Sequence, residues 1–212
     1  MRRLFAAVLS LSLPLFVGVP AVQAAPGRTL EYSVLATSGG IARRATVTVD
    51  FIGGSAERVM NVDVDEVGED GVQFGADVGI EPTGSLESDK QSLTSEEEAI
   101  CSLMALESED MAGVAQGDHW DRSGPVPGGH QHTQFVALGS TDDGLIQLAV
   151  TRDTMRNDGS VARWRGTMTY DADAFVPATI SLTGNVSSDD DPVDGRDVAM
   201  TIHLIHDTFK HY

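Results

Sequence analysis

The 212-residue sequence is poor in cysteine and in basic residues. Its single cysteine, Cys101, excludes an intrachain disulfide framework and any zinc site built on several cysteines. Only 14 lysine and arginine residues stand against 32 aspartate and glutamate residues, which gives a formal charge of −18 at pH 7. Because nucleic acids and anionic membrane surfaces are themselves negatively charged, this balance argues against both as partners.

Long hydrophobic runs are also scarce, and the longest lies close to the N-terminus. Arg2 and Arg3 precede an apolar stretch over 4–19, and small residues around Ala24 suit cleavage after that position. Prolines and a glycine interrupt the stretch, which is too short to span a bilayer as a helix. The pattern predicts a signal peptide over 1–24 and a periplasmic or secreted protein with no membrane anchor.

The remaining residues, 25–212, are predicted to form a single β-rich domain. Most segments alternate apolar and polar residues with a period of two, which is typical of strands with one buried face. The segment 42–52 is an example, since Val47, Val49 and Phe51 alternate with threonine and aspartate. The predicted strands are 28–37, 42–52, 57–67, 71–79, 132–140, 144–153, 160–171, 177–187 and 196–206.

Three Asp-Gly pairs separate alternating runs and predict tight hairpins, because glycine readily adopts the positive φ that such turns require. They are Asp70-Gly71, Asp143-Gly144 and Asp158-Gly159. Short connections of this kind join antiparallel strands, whereas parallel strands need long crossovers. Two further segments rich in glycine or aspartate, 117–129 and 187–195, are predicted to be surface loops.

One segment, 95–106, has helical instead of alternating periodicity. Ile100, Leu103 and Met104 fall on one side of this predicted helix. Thr94 or Ser95 can cap its N-terminus, and Glu98 occupies a position suited to a capping box. The apolar stripe requires a partner surface, and the apolar face of the sheet is the simplest one.

These elements predict a mainly β fold. We expect a single antiparallel meander, curved into a half-barrel or open barrel, with one helix on its concave face. A β-sandwich is the alternative architecture.

Catalytic motifs are scarce. The chain has no Gly-x-Ser-x-Gly motif, and Cys101 lies near the apolar stripe of the predicted helix, where a buried thiol is expected. His130 and His132 share one side of a predicted strand, and with His203 they are candidate metal ligands, although no metalloprotease motif is present. The sequence therefore favours a non-catalytic protein without a cofactor, with a hydrolase as the third-ranked reading.

The apolar face offers a candidate binding surface, because methionine side chains deform easily and can accommodate apolar ligands of variable shape. The candidate ligand-binding residues are Met60, Ile100, Leu103, Met104, Trp164, Met168 and Met200. They predict a binder of an apolar small molecule or lipid, such as an acyl chain. The alternative is that these residues fill an ordinary core, in a structural or interaction protein whose partner the sequence does not specify.

The segment Val114-Ala115-Gln116-Gly117-Asp118-His119-Trp120 is similar to a Gly-Asp-x-Trp segment found in many exported β proteins. Together with the predicted signal peptide, meander and helix, it resembles the LolA-like half-barrels of the lipoprotein-carrier superfamily. The resemblance implies a half-barrel with a ligand held between helix and sheet, and it places Trp120 at the barrel rim. It assigns no other residue a role.

Overall fold

The computed structural model describes residues 27–51, 58–65, 75–80, 85–88, 93–104, 111, 113–188 and 191–208. The predicted signal peptide over 1–24 and the predicted Asp70-Gly71 hairpin lie outside these residues. Within these residues five strands precede the helix: β1 (Thr29–Ser38), β2 (Ile41–Phe51), β3 (Arg58–Asp65), β4 (Gly75–Ile80) and β5 (Leu86–Ser88). The helix α1 covers Ser95–Met104. Six strands follow: β6 (His119–Val126), β7 (Gly129–Ser140), β8 (Ile146–Arg156), β9 (Val161–Asp171), β10 (Val176–Ser188) and β11 (Asp191–Asp207).

All eleven strands of the described residues belong to one antiparallel sheet, in the order β5-β4-β3-β2-β1-β11-β10-β9-β8-β7-β6. The edge strands β5 and β6 approach each other, with Cα atoms within 8 Å, although no ladder joins them within the described residues. The sheet is therefore strongly curled without closing into a barrel. The prediction of a curved antiparallel meander with one helix is confirmed, and the β-sandwich alternative is wrong because the sheet is continuous.

The first and last strands meet in the middle of this sheet, where β1 pairs with β11 over nine register positions. Arg28 closes the junction with two bonds to the Asp207 carboxylate, at 2.6 Å from Nη2 and 3.1 Å from Nε. The same guanidinium donates to the carbonyl of Ala174 in the β9–β10 turn, at 2.8 Å. The Asp207 side chain is fully buried, so the pair is shielded from solvent.

Alternation along the strands builds one core on the concave side of the sheet. On β1, for example, Leu30, Tyr32 and Val34 are buried while the residues between them are less so. Register then aligns inward residues of neighbouring strands in rows. One such row, from β8 to β1, consists of Leu148, Met168, Ile180, Ile202 and Val34, all of which are buried.

The helix α1 lies in this concavity and contacts β4, β5 and β10. Nine of its ten residues are buried, Glu96 being the exception. Its capping box is formed by Thr94 and Glu97, since the Thr94 N–H donates to Glu97 Oε2 at 2.7 Å and the Glu97 N–H donates to Thr94 Oγ1 at 3.1 Å. The prediction that Glu98 supplies the capping carboxylate is wrong, and Glu98 instead points into the interior. No helix within the described residues is long and apolar enough to cross a membrane.

Both predicted loops contain strand residues, so those two predictions are wrong. β6 occupies most of the predicted loop 117–129, and its Pro125 is tolerated because β6 is an edge strand with one neighbour. β11 begins at Asp191 instead of 196. The first seven residues of β11 extend beyond its ladder with β1, which ends at Val198. Pro192 lies in this extension, where β11 has one neighbouring strand, so a residue without an N–H group is tolerated. The three-residue strand β5 is also missing from the prediction.

Gly166 allows β9 and β10 to approach closely. A Cβ atom on Gly166 would fall 2.9 Å from the Cα of Leu182 on β10, which is closer than real Cβ contacts allow. We therefore expect Gly166→Ala to push the strands apart and to lower the free energy of unfolding by about 1–3 kcal/mol. Urea denaturation measures this loss. Gly79→Ala is the control, since its Cβ would meet atoms only at 3.8 Å, and an equal loss in both variants would contradict the explanation.

Candidate functional site

The inward face of β8 changes character along the strand. Every second residue of β8 faces inward, so Leu148 and Val150 are followed on this face by Arg152, Thr154 and Arg156. Arg152 and Thr154 are fully buried. Arg156 lies next to the β8–β9 turn, and the register places that turn at the same end of the sheet as the β1–β2 turn. We call this the hairpin end of the sheet. The interior beside β8 is therefore apolar in the middle of the strand and polar toward the hairpin end.

A set of buried polar side chains on α1, β7 and β8 forms what we call the interior polar cluster. Its members are Glu98, Ser102, Gln131, Arg152 and Thr154, which are buried, and Arg156, which is part-buried. Arg152 lies at its centre, donating from Nε to Gln131 Oε1 at 3.0 Å and from Nη2 to Ser102 Oγ at 2.9 Å. Ser102 in turn donates to the carbonyl of Glu98 at 2.7 Å. The cluster thus links the sheet to the helix.

Arg156 ties the beginning of α1 to β8. Its Nη2 atom donates to the carbonyl of Leu93 at 2.8 Å and lies 3.1 Å from Glu98 Oε1. Burial raises the pKa of Glu98 to about 7, because removal from water disfavours the charged carboxylate more than Arg156 and Arg152 stabilise it. Glu98 therefore changes protonation state close to neutral pH.

The cluster leaves several polar atoms without hydrogen bonds among the described residues. These atoms are Arg152 Nη1, Thr154 Oγ1 and both carboxylate oxygens of Glu98. Burial also lowers the pKa of Arg152 to about 10, so its guanidinium still carries a positive charge at pH 7. Such incomplete satisfaction is unusual, because buried polar groups in folded proteins nearly always have partners.

A groove of about 470 Å³ opens at the hairpin end, on the β1, β2 and β11 side of α1. We call it the mouth groove. It is lined by Ala36, Thr37, Ser38, Gly39, Ile41, Arg43, Glu96, Arg196, Asp197 and Val198. Ile41 is 65% exposed, which is unusual for a large apolar side chain, and Arg196 forms an ion pair with Glu96 of α1. The groove thus combines an apolar surface with a charged contact to the helix.

The register connects this groove to the interior polar cluster. One row of inward positions runs through Arg152 on β8, Trp164 on β9, Gly184 on β10 and Val198 on β11. The Trp164 ring lies against Gly184, where an added Cβ would come within 2.6 Å of the ring atom Cδ2. Trp164 therefore lies between the mouth groove and the guanidinium of Arg152.

Six of the seven predicted ligand-binding residues belong to the buried core: Ile100, Leu103, Met104, Trp164, Met168 and Met200. Each is at most 3% exposed, so α1 and the sheet are in close contact around them. Met60 lies on β3, where the register pairs it with Val49 and Val78, but its side chain is outside the described part of the structure. Trp120, on the edge strand β6, stacks on Phe135 with a centroid distance of 5.3 Å.

The candidate metal ligands do not converge. His130 and His132 lie on β7 and His203 lies on β11, with three strands between them. His132 Nδ1 instead hydrogen-bonds with Ser123 Oγ at 2.7 Å. The described residues hold no group of three or more histidine, cysteine or acidic side chains that could bind an ion. Cys101 is fully buried, and burial raises the pKa of its thiol far above the usual value.

A second groove, of about 570 Å³, lies on the convex face of the sheet. Its lining includes Arg163 and Arg165 of β9 and Asp197 of β11. Arg163 lies 3.8 Å from Asp153 in an exposed ion pair, an arrangement that contributes little to stability. None of the six predicted binding residues whose side chains the structure describes lines this groove.

The interior polar cluster was not predicted from the sequence, although the alternation along β8 indicates part of it. Arg152 and Thr154 continue the alternation of Leu148 and Val150, so the sequence already places two polar side chains on the inward face of this strand.

Comparisons with protein-family models and with curated protein sequences returned no match for the chain.

Proposed function

We propose that this is a non-catalytic, exported carrier that binds an amphipathic ligand with an acyl chain between α1 and the concave face of the sheet. This agrees with the predicted signal peptide and with the resemblance to LolA-like half-barrels. The ligand gains access at the mouth groove, its polar end lies at the interior polar cluster, and its chain runs along the apolar rows toward the middle of the sheet.

The observation that carries the proposal is the set of unsatisfied polar atoms around Arg152. A core that serves stability alone is better filled with apolar side chains, because a buried charge with open hydrogen-bond positions costs free energy. Arg152 Nη1 and Thr154 Oγ1 are open positions of this kind, and both are buried. These two atoms support a binding site for the polar group of a ligand.

Binding of an acyl chain between α1 and the sheet requires α1 to be displaced. Three arginines of the sheet contact α1 or the residues just before it: Arg152 binds Ser102, Arg156 binds Leu93 and Glu98, and Arg196 binds Glu96. Its apolar stripe occupies the surface where an acyl chain would pack. Binding therefore replaces the apolar contacts of α1 with those of the chain.

A thermal-shift series with a long-chain fatty acid tests the proposal. A ligand that binds only the folded state stabilises it by about 2.7 kcal/mol at a hundred times its Kd, so we expect a concentration-dependent rise in Tm. Ile41→Asp, at an exposed position in the mouth groove, should weaken this effect. Ile205→Asp is the matched control, because Ile205 is 56% exposed on β11 but does not line the groove.

The second candidate is a structural or interaction protein with a filled core. Its support is the near-complete burial of Ile100, Leu103 and Met104 beneath the sheet. This candidate predicts no change in Tm at any fatty acid concentration. An equal loss of the ligand effect in Ile41→Asp and Ile205→Asp would also contradict access through the mouth groove.

A further inference from the structure

The interior polar cluster indicates the chemistry of the ligand's head group, which its apolar surroundings do not. Arg152 uses Nε and Nη2 for bonds to Gln131 and Ser102, so its orientation is held from two sides. Nη1 has no partner among the described residues, and neither does the hydroxyl of Thr154, two positions along the same inward face. A guanidinium held in this way presents a fixed donor, and fixed donors favour planar anionic acceptors.

The charges that face the cluster leave room for one anion. Arg152 and Arg156 contribute two positive charges from β8, and Glu98 of α1 opposes them. Glu97, the other carboxylate near Glu98, accepts the Thr94 N–H in the capping box. Cys101 lies on the same helix, and burial keeps its thiol neutral. Glu98 Oε1 lies 3.1 Å from Arg156 Nη2 and compensates one of these charges, whereas Arg152 Nη1 has no hydrogen-bond partner among the described residues.

We propose that the ligand carries a carboxylate head group, which Arg152 Nη1 and Thr154 Oγ1 bind inside the half-barrel, so that the cargo class is a free fatty acid or a related monocarboxylate. This inference rests on the proposed carrier function. A single negative charge suits the site better than a phosphate dianion, because Glu98 on the facing helix already opposes one of the two arginine charges.

The proposal implies that binding takes up a proton. A ligand carboxylate beside Glu98 places two negative charges together, which favours the protonated form of Glu98. Free carboxylic acids are ionised at both pH 6 and pH 8, whereas Glu98, with a pKa of about 7, changes state between them. Affinity should therefore fall by up to about tenfold from pH 6 to pH 8.

Affinities of the wild-type protein for ligands with different head groups distinguish between the ligand classes. Hexadecanoic acid, hexadecanol and methyl hexadecanoate share one chain and differ in head group, and competition with a fluorescent acyl probe ranks their affinities. We expect the acid to bind at least about tenfold more tightly than the other two, because a hydrogen bond to a charged group is stronger than one to a neutral group. Equal affinity for all three overturns the carboxylate proposal and leaves the carrier function standing. Binding of none overturns both.

Three variants test which residues produce the head-group preference and the pH dependence. Arg152→Gln should remove the preference for the acid, whereas Arg165→Gln, at an exposed position on the convex face, should keep it. Glu98→Gln should make acid binding independent of pH between 6 and 8. If Arg152→Gln fails to fold, the head-group ranking and the pH dependence of Glu98→Gln still decide the question. Unchanged preference in folded Arg152→Gln overturns the assignment of Arg152.

Discussion

Leu103→Ala should lower the free energy of unfolding by about 2–5 kcal/mol. Leu103 is fully buried at the centre of the α1 stripe and belongs to the main core. Removing its isobutyl group forfeits the free energy of burial and leaves a cavity that the surrounding sheet can fill only partly. Urea denaturation monitored by tryptophan fluorescence measures the loss.

The control for this experiment is Leu35→Ala. Leu35 is 43% exposed on β1, and substitutions at such surface positions change stability by less than about 0.5 kcal/mol. A loss below about 1 kcal/mol in Leu103→Ala would show that the helix packs loosely, contrary to the burial of its stripe. Losses of equal size in both variants would mean that burial does not determine the cost.

Glu98→Gln should stabilise the protein by about 3 kcal/mol at pH 8 and have little effect at pH 4. The pKa of Glu98 is about 7 in the folded protein, against an ordinary value of 4.5. The folded state therefore holds the proton more tightly than the unfolded state does. The stability that protonation provides is fully present below pH 4.5 and is lost as pH rises through 7, whereas glutamine does not titrate.

The measurement is the difference in unfolding free energy between Glu98→Gln and wild type, taken from pH 4 to pH 8, because other titrating groups cancel in the difference. In wild type Arg156 Nη2 lies 3.1 Å from Glu98 Oε1, and a glutamine oxygen at that position can accept a hydrogen bond from it, so a contact with β8 is kept. A difference that does not vary with pH would show that Glu98 titrates alike in the folded and unfolded states. A destabilised variant at pH 8 would show that the ion pair with Arg156 outweighs burial.

Local patterns predicted most of the fold. The segments 160–171 and 177–187 alternate apolar and polar residues, and both form the predicted strands, as β9 and β10. The Asp-Gly turns at Gly144 and Gly159 are also confirmed, with φ values of 81° and 91°. In each case the determining interaction lies within a few residues along the chain.

The elements that were missed depend on distant neighbours. β6 contains a glycine and a proline and shows no clear alternation, and it is a strand because β7 offers it a partner. The interior polar cluster needs the helix and β8 to meet, since Glu98 and Arg156 lie far apart in sequence. The charge of Glu98 was therefore attributed to a capping box that its neighbour Glu97 forms instead.

The pairing of β1 with β11 has a consequence for how the chain folds. β1 to β5 and β6 to β11 are each built from neighbouring strands, so every hairpin within them closes a short loop. The junction between these halves brings together residues such as Arg28 and Asp207, which are 179 positions apart. Closing so long a loop has the greatest entropic cost of any ladder in the sheet. We therefore expect the two meanders to form first and the central ladder to form last.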